Sequence, residues 1–333
     1  VSQLTILGAG SYGTALAMVL APRYERLVLW SFEQELAGQM QAHRENKKYL
    51  DGFRLPPNVQ VVWSLADALQ QADIVLGAVP SMHVRAVFSN ALPYLTPGAP
   101  IVSATKGVER GTSLRMSEVI AAVTRPKFPA QLAVLSGPSF AKELARGEPT
   151  LVAASSVDAA LAERVQREFS GPTFRIYTNT DPIGTELGGA LKNVIAIAAG
   201  VCSGLGLGSN AMAGLLTRGL AELTRLAVSL GAQASTLSGL AGLGDLILTC
   251  TGDLSRNRRV GLELAKGRTL AEIQEGMHMV AEGVENTYSA VELARRQRVS
   301  MPIAETMYAI FEQGKSPHDA LRELMEREPG AEL

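Results

Sequence analysis

The sequence predicts an α/β protein in two parts: a doubly wound, mostly parallel sheet covered by helices, then an all-α segment. Three observations point there. Short apolar runs alternate with amphipathic stretches through the first half of the chain. A glycine-rich hexapeptide joins the first of those runs to the first helical pattern. Beyond residue 180 the texture turns to long helical segments rich in Ala, Leu and Ile. The length of 333 residues suits this division, because single domains run to about 100–200 residues. We expect the sheet domain over 1–180 and the helical domain over 181–333.

Strands are expected at 4–7, 27–30, 59–63, 74–79, 101–104, 132–135 and 151–154. The runs are mainly apolar rather than alternating, as strands are when both sheet faces are covered. Helical patterns lie between several of them, at 14–20 and 83–92 for example. Strands alternating with helices imply βαβ units and a parallel sheet. The run 174–177 closes this half. Helices then follow at 182–199, 211–230, 284–298 and 303–313, with glycine-rich joints at 204–208 and 239–244.

Composition narrows the functional classes. With 47% hydrophobic and 19% charged residues, the chain is too apolar to be mainly disordered. The 31 Lys+Arg against 32 Asp+Glu leave a net charge of −1, so no bulk field draws it to nucleic acid or to an anionic membrane. Cys202 and Cys250 form no CxxC, which disfavours a disulfide scaffold or zinc ribbon. The opening stretch lacks the basic region and cleavage box of a signal peptide. The apolar stretch 194–208 is shorter than the ~18 residues of a membrane span. We expect a soluble, cytoplasmic protein with no integral membrane contact.

Gly8-Ala9-Gly10-Ser11-Tyr12-Gly13 is a strict GxGxxG between an apolar strand and an apolar helix. That is the context in which the motif binds a dinucleotide. Gly8 permits the turn, Gly10 lets backbone approach a pyrophosphate, and Gly13 lets helix and strand pack closely. The helix N-terminus offers N–H groups and partial positive charge to the anion. The alternative is a tight turn with no ligand. After the second strand come Ser31, Phe32 and Glu33. An acid there holds a ribose 2′-hydroxyl and favours NAD, whereas a nearby cation favours NADP. Glu33 reads equally as a solvated loop charge.

Charges in apolar company mark further candidates. Lys106 follows the strand at 101–104, at the carboxyl end where open α/β sheets bind ligands. Ser136-Gly137-Pro138-Ser139-Phe140-Ala141 follows a strand in the same way. Either segment could be only a turn. Lys192 interrupts an apolar helix. Burial would lower its pKa towards that of a general base, or its stem could snorkel to the surface. Asp245 stands between two apolar runs, placed to bind a lysine or hydroxyl or to cap the next segment. Ser255-Arg256-Asn257-Arg258-Arg259 packs three guanidiniums into about one turn, suited to a phosphate monoester. Nucleic acid is the rival ligand, but no aromatic residues interleave; a solvated loop is the alternative with no ligand.

Other patterns fail. Gly314-Lys315-Ser316 lacks the first glycine of a Walker A loop, where Ala309 stands. His43, His83, His278 and His318 make no HExxH, and no metal site is expected. No GxSxG occurs.

Taken in order, GAGSYGTAL at 8–16, ATKG at 104–107, SGPSFA at 136–141, LKNV at 191–194, GLGDL at 242–246 and SRNRR at 255–259 closely resemble the bacterial NAD(P)-dependent glycerol-3-phosphate dehydrogenases. The resemblance runs from residue 4 to about 320. It implies a Rossmann domain followed by a helical domain. It also implies reversible reduction of dihydroxyacetone phosphate to sn-glycerol 3-phosphate for phospholipid synthesis, with NAD or NADP as cofactor and no metal. The site would lie in the cleft between the domains.

By this resemblance Lys192 is the proton acceptor, with Lys106 and Asp245 beside it in the chemistry. Lys106, Gly137, Ser139, Lys192, Asp245, Ser255, Arg256 and Asn257 match substrate positions. Ser11, Tyr12, Lys106, Ala141, Arg256, Val280 and Glu282 match dinucleotide positions. Many members carry a basic residue where this chain has Phe32 and Glu33. That departure weakens the expectation of strong NADP preference, unless Lys47 or Lys48 compensates. A homodimer is compatible with this reading. The rivals are a related dehydrogenase of another small 2-hydroxy or 2-keto compound, and a non-catalytic NAD(H) sensor.

Overall fold

The computed structural model describes residues 2–277 and 281–328. The chain divides into two compact units, one of residues 1–106 and 114–182 and the other of residues 107–113 and 183–333. The excursion at 107–113 gives the second unit a short piece of the first half, which the sequence does not suggest.

The first unit is built on ten strands. They are β1 (Gln3–Leu7), β2 (Arg26–Trp30), β3 (Glu45–Asn46), β4 (Leu50–Arg54), β5 (Val59–Val62), β6 (Ile74–Gly77), β7 (Ile101–Ser103), β8 (Leu132–Ser136), β9 (Thr150–Ser155) and β10 (Phe174–Asn179). Eight of them form one sheet in the order β10-β9-β8-β7-β6-β1-β2-β5. All neighbours are parallel except β8 and β9. Helices α1 (Ser11–Leu20), α2 (Gln34–His43), α3 (Leu65–Leu69), α4 (Val84–Ala91), α5 (Met116–Thr124), α6 (Ala141–Ala145) and α7 (Ala159–Phe169) complete the unit.

Alternate residues of one strand enter different cores. Leu4 and Ile6 join one cluster, with Leu16 of α1 and Phe169 of α7. Leu7 joins the other, with Phe88 of α4 and Ile120 of α5. Two covered faces explain why the strands read as unbroken apolar runs. From β1 the chain winds outward to β2 and β5, then returns to β6 on the other side of β1. This reversal is the topological switch point, where open sheets bind ligands beyond the strand ends. β3 and β4 form a separate antiparallel pair.

The second unit is helical: α8 (Pro182–Gly204), α9 (Ser209–Ser229), α10 (Ala234–Leu237), α11 (Asp245–Thr251), α12 (Arg256–Ala265), α13 (Leu270–Glu275), α14 (Glu282–Gln297), α15 (Pro302–Gln313) and α16 (Pro317–Met325). The centre is α8, buried along residues 184–201. It is longer than the apolar stretch the sequence suggests. By length and hydropathy it could cross a membrane, but 83% of its most apolar window is buried within the fold. A Cβ on Gly200 would lie 2.0 Å from the Arg258 carbonyl oxygen, and one on Gly261 would lie 2.0 Å from that of Ile197. Glycines therefore let α8 and α12 meet backbone to backbone. Gly314 ends α15 and Ser316 caps α16, so the Walker-like tripeptide is an interhelical turn.

Candidate active site

In the first unit the site begins where β1 ends. Gly8 has φ +117°, a conformation that side chains rarely permit. A Cβ there would also lie 2.6 Å from the Ala78 carbonyl oxygen, at the end of β6. The loop thus sits against the switch point. A Cβ on Gly13 would fall 1.9 Å from the Gly8 carbonyl oxygen, so α1 packs directly on the loop. At Gly10 the situation reverses, since a Cβ would meet nothing within 4 Å. Gly10 is also the N-cap of α1, and no side chain caps that end. Two glycines serve internal packing and the third keeps an open surface over a helix N-terminus. These residues fit a dinucleotide pyrophosphate.

Four predicted residues gather beside α1. Lys106 follows β7 and donates from Nζ to the Gly137 carbonyl at 2.9 Å. The same carbonyl accepts from Ser139 Oγ at 2.9 Å. Ser139 Oγ lies 3.1 Å from Tyr12 Oη, and Lys106 Nζ stands 5.9 Å from the Tyr12 ring centroid. Gly137 takes φ +145°, and a Cβ there would lie 2.9 Å from Val152 Cα. Ala141 opens α6 just beyond.

Glu33 is the N-cap of α2. Its Oε2 lies 2.5 Å from Lys48 Nζ, and its Oε1 accepts from Tyr49 Oη at 2.8 Å. The Lys48 ammonium holds the Glu33 carboxyl below the usual carboxylate range. Phe32 beside it is solvent-exposed, with its ring edge-on to Trp30.

In the second unit the structure settles what the sequence left open for Lys192. The side chain is buried, 5% exposed, and does not snorkel. Its Nζ donates to Asp245 Oδ1 at 2.5 Å and to Thr249 Oγ1 at 2.5 Å. Asp245 and Thr249 stand four residues apart on α11, the spacing that shares a helix face. Thr249 Oγ1 in turn donates to the Asp245 carbonyl at 2.7 Å. A buried ammonium is tolerated when paired and hydrogen-bonded, and Asp245 supplies the charge. Cys250 follows Thr249. Burial pushes its thiol up to about 12, so it is no nucleophile at neutral pH.

The next residue of α8, Asn193, is tied to the phosphate candidates. Asn193 Oδ1 accepts from Asn257 Nδ2 at 2.9 Å, and Asn257 Oδ1 accepts from the Gly283 N–H at 2.9 Å. Ser255 caps α12 by accepting from the Arg258 N–H, which leaves its hydroxyl proton to donate. Arg256, Arg258 and Arg259 occupy the first turn of α12, which has no acid. Cations there oppose the helix dipole, a conflict that an anion would relieve. Arg256 itself is exposed. Glu282 opens α14, one residue before Gly283. Val280 lies outside the described residues.

Each unit thus assembles its own set: Gly8, Gly10, Ser11, Tyr12, Gly13, Phe32, Glu33, Lys106, Gly137, Ser139 and Ala141 in the first, and Lys192, Asp245, Ser255, Arg256, Asn257 and Glu282 in the second. Sequence reasoning assigned no role to Thr249, Asn193 or Tyr49. For Thr249 the signal was present, four residues after Asp245.

Two family models match the chain. One, NAD-dependent glycerol-3-phosphate dehydrogenase N-terminus, covers residues 3–162. The other, the C-terminus of the same family, covers 181–322. A glycerol-3-phosphate dehydrogenase (NAD(P)+) of Koribacter versatilis is 55% identical over 100% of this chain and 99% of its own length. One from Citrifermentans bemidjiense is 51% identical over 99% and 98%. The crystal structure of glycerol-3-phosphate dehydrogenase from Coxiella burnetii matches with a TM-score of 0.93 at 40% identity, over 98% of this chain and 99% of that one. With both halves matched in order and relatives of this identity along its whole length, the chain belongs to the NAD-dependent glycerol-3-phosphate dehydrogenase family.

Proposed function

We propose that this protein is an NAD(P)-dependent sn-glycerol-3-phosphate dehydrogenase, reversibly reducing dihydroxyacetone phosphate to sn-glycerol 3-phosphate for glycerophospholipid synthesis. The observation that carries the reading is the buried Lys192 ammonium, held by Asp245 and Thr249, in a chain whose other unit carries an open phosphate loop. A bound nicotinamide supplies the hydride. The residues of this chain must hold the dinucleotide, bind a phosphate monoester and move one proton.

The backbone from Gly8 to Gly13 holds the pyrophosphate at the α1 N-terminus. Lys192 delivers a proton to the C2 oxygen during reduction and takes it from the 2-hydroxyl during oxidation. Proton transfer by a positioned group accounts for about 10²–10⁴ in rate. Asp245 and Thr249 keep the ammonium in place. Lys106 stabilises negative charge as it develops on that oxygen. Arg256, Ser255 and Asn257 receive the phosphate, whose dianionic charge suits the acid-free first turn of α12. Gly137 and Ser139 line the substrate side of the first unit. A cytoplasmic location agrees with two free cysteines, one of them buried.

The test is spectrophotometric. Dihydroxyacetone phosphate should drive oxidation of NADH or NADPH by the purified protein, and unphosphorylated dihydroxyacetone should be a far poorer substrate. Bound dinucleotide with no turnover of dihydroxyacetone phosphate would refute the reading.

A further inference from the structure

We infer that the β3–β4 hairpin is a selectivity device that presents Glu33 to the adenosine ribose and makes the protein prefer NAD(H) to NADP(H). The inference rests on the dehydrogenase reading and deepens it, since the relatives carry a name that covers both cofactors.

A continuous set of bonds within the first unit connects the hairpin to Glu33. Asn46 is fully buried. Its Nδ2 donates to the Ala9 carbonyl and to Thr14 Oγ1, both at 2.8 Å. Ala9 lies inside the phosphate loop, so the hairpin is fastened to the backbone that would carry the pyrophosphate. Asn46 Oδ1 accepts from the Tyr49 N–H at 3.1 Å. Tyr49 Oη then donates to Glu33 Oε1 at 2.8 Å, and Lys48 Nζ pairs with Oε2 at 2.5 Å. The carboxylate after β2 is thereby fixed relative to the loop after β1, and that separation is what a dinucleotide-binding fold uses to read the ribose.

Both oxygens keep acceptor capacity, because a carboxylate has about four lone-pair sites and two are used. A ribose 2′-hydroxyl can donate to what remains. A 2′-phosphate cannot donate when ionised, and it brings like charge against Glu33. Lys48 works the other way. Its ammonium offsets part of the Glu33 charge and is a cation that a 2′-phosphate placed beside Glu33 could pair with. Glu33 is therefore assigned as the residue that excludes NADP(H), Lys48 as the one that moderates the exclusion, and Tyr49 as a positioning residue.

Equilibrium titration of the full chain with NADH and with NADPH, without substrate, tests this. The parent should bind NADH at least about tenfold more tightly, since like-charge contact costs more than the ~1.4 kcal/mol that a factor of ten represents. Glu33→Gln should shrink the ratio by roughly that factor, mainly by tightening NADPH. Lys48→Met should widen the ratio by weakening NADPH. Tyr49→Phe should weaken NADH and narrow the ratio, whereas a merely structural role would shift both dinucleotides together. A parent that binds both equally, or a Glu33→Gln variant with an unchanged ratio, overturns the inference alone. Binding of neither dinucleotide overturns the dehydrogenase reading along with it.

Discussion

Lys192 stands in the middle of an otherwise apolar helix, and its charge dictates what can surround it. Taking an ammonium out of water costs several kcal/mol unless a counter-charge and hydrogen bonds compensate. Asp245 and Thr249 provide both. This is why the pair was legible in the sequence: a Lys and an Asp inside apolar runs each demand a partner. Asn193 and Thr249 were less so, because Asn and Thr occur in helices for many reasons; Asn193 accepts from Asn257 of α12 and Thr249 from Lys192 of α8. Arg256 poses the opposite problem. It is exposed, among three arginines in the acid-free first turn of α12. Arg256→Ala should raise KM for the phosphorylated substrate by about 10–100-fold, the worth of one charge-assisted hydrogen bond or two. It should leave kcat much less changed. Steady-state kinetics with dihydroxyacetone phosphate would show this, and an unaltered KM would remove Arg256 from the phosphate site.

Strands and helices were legible to the extent that burial made them periodic. The runs at 27–30 and 101–104 correspond to β2 and β7, and α1 and α4 fall on the expected helical stretches. The β3–β4 hairpin was not visible, because β4 is mostly exposed and β3 has only two residues. The glycines at 239–244 read as a joint between helices, yet Leu240–Gly244 is a turn of π-helix leading into α11. A Cβ on Gly242 would lie 2.0 Å from the Leu237 carbonyl oxygen. That glycine permits close packing, and composition alone cannot separate this from a bend. Another feature that sequence does not reveal is what caps the start of α15, a helix expected at 303–313 and found at Pro302–Gln313. No side chain of its own caps it. Glu222 of α9 does so instead, accepting from the Ile303 N–H with both carboxylate oxygens at 3.0 and 3.1 Å.

Burial pushes the Glu222 carboxyl up to about 7 from its ordinary 4.5. Its folded value exceeds its unfolded one, so the folded state binds the extra proton between those two values. The contribution to stability is fully present below about pH 4.5 and is lost as pH rises through about 7. Glu222→Gln keeps an acceptor and removes the titration. Relative to the parent, the variant should gain stability between pH 4.5 and 7, by up to about 3 kcal/mol. Thermal unfolding of both proteins across that range would reveal it, and parallel curves would contradict it.

For the whole molecule, the proposed function divides the work of one reaction between the two units: the first carries the glycine-rich loop, Glu33 and Lys106, and the second carries Lys192, to which the proton transfer is assigned in that proposal, and the arginine-rich turn. The family relationship extends through both units, so neither is an unrelated appendage. The short excursion at 107–113 ties them in sequence: Lys106 is the last residue of the first unit before the chain enters the second. There Val108 joins the core and its carbonyl accepts from Ser289 Oγ at 3.3 Å. No composition or periodicity marks such a loop, because it has no regular structure of its own. The division of labour is most directly tested with Lys192→Ala, by measuring turnover of dihydroxyacetone phosphate and NADH affinity on one preparation. The variant should lose about 10²–10⁴ in kcat, with the NADH dissociation constant nearly unchanged. Parental turnover, or loss of NADH binding together with activity, would contradict it.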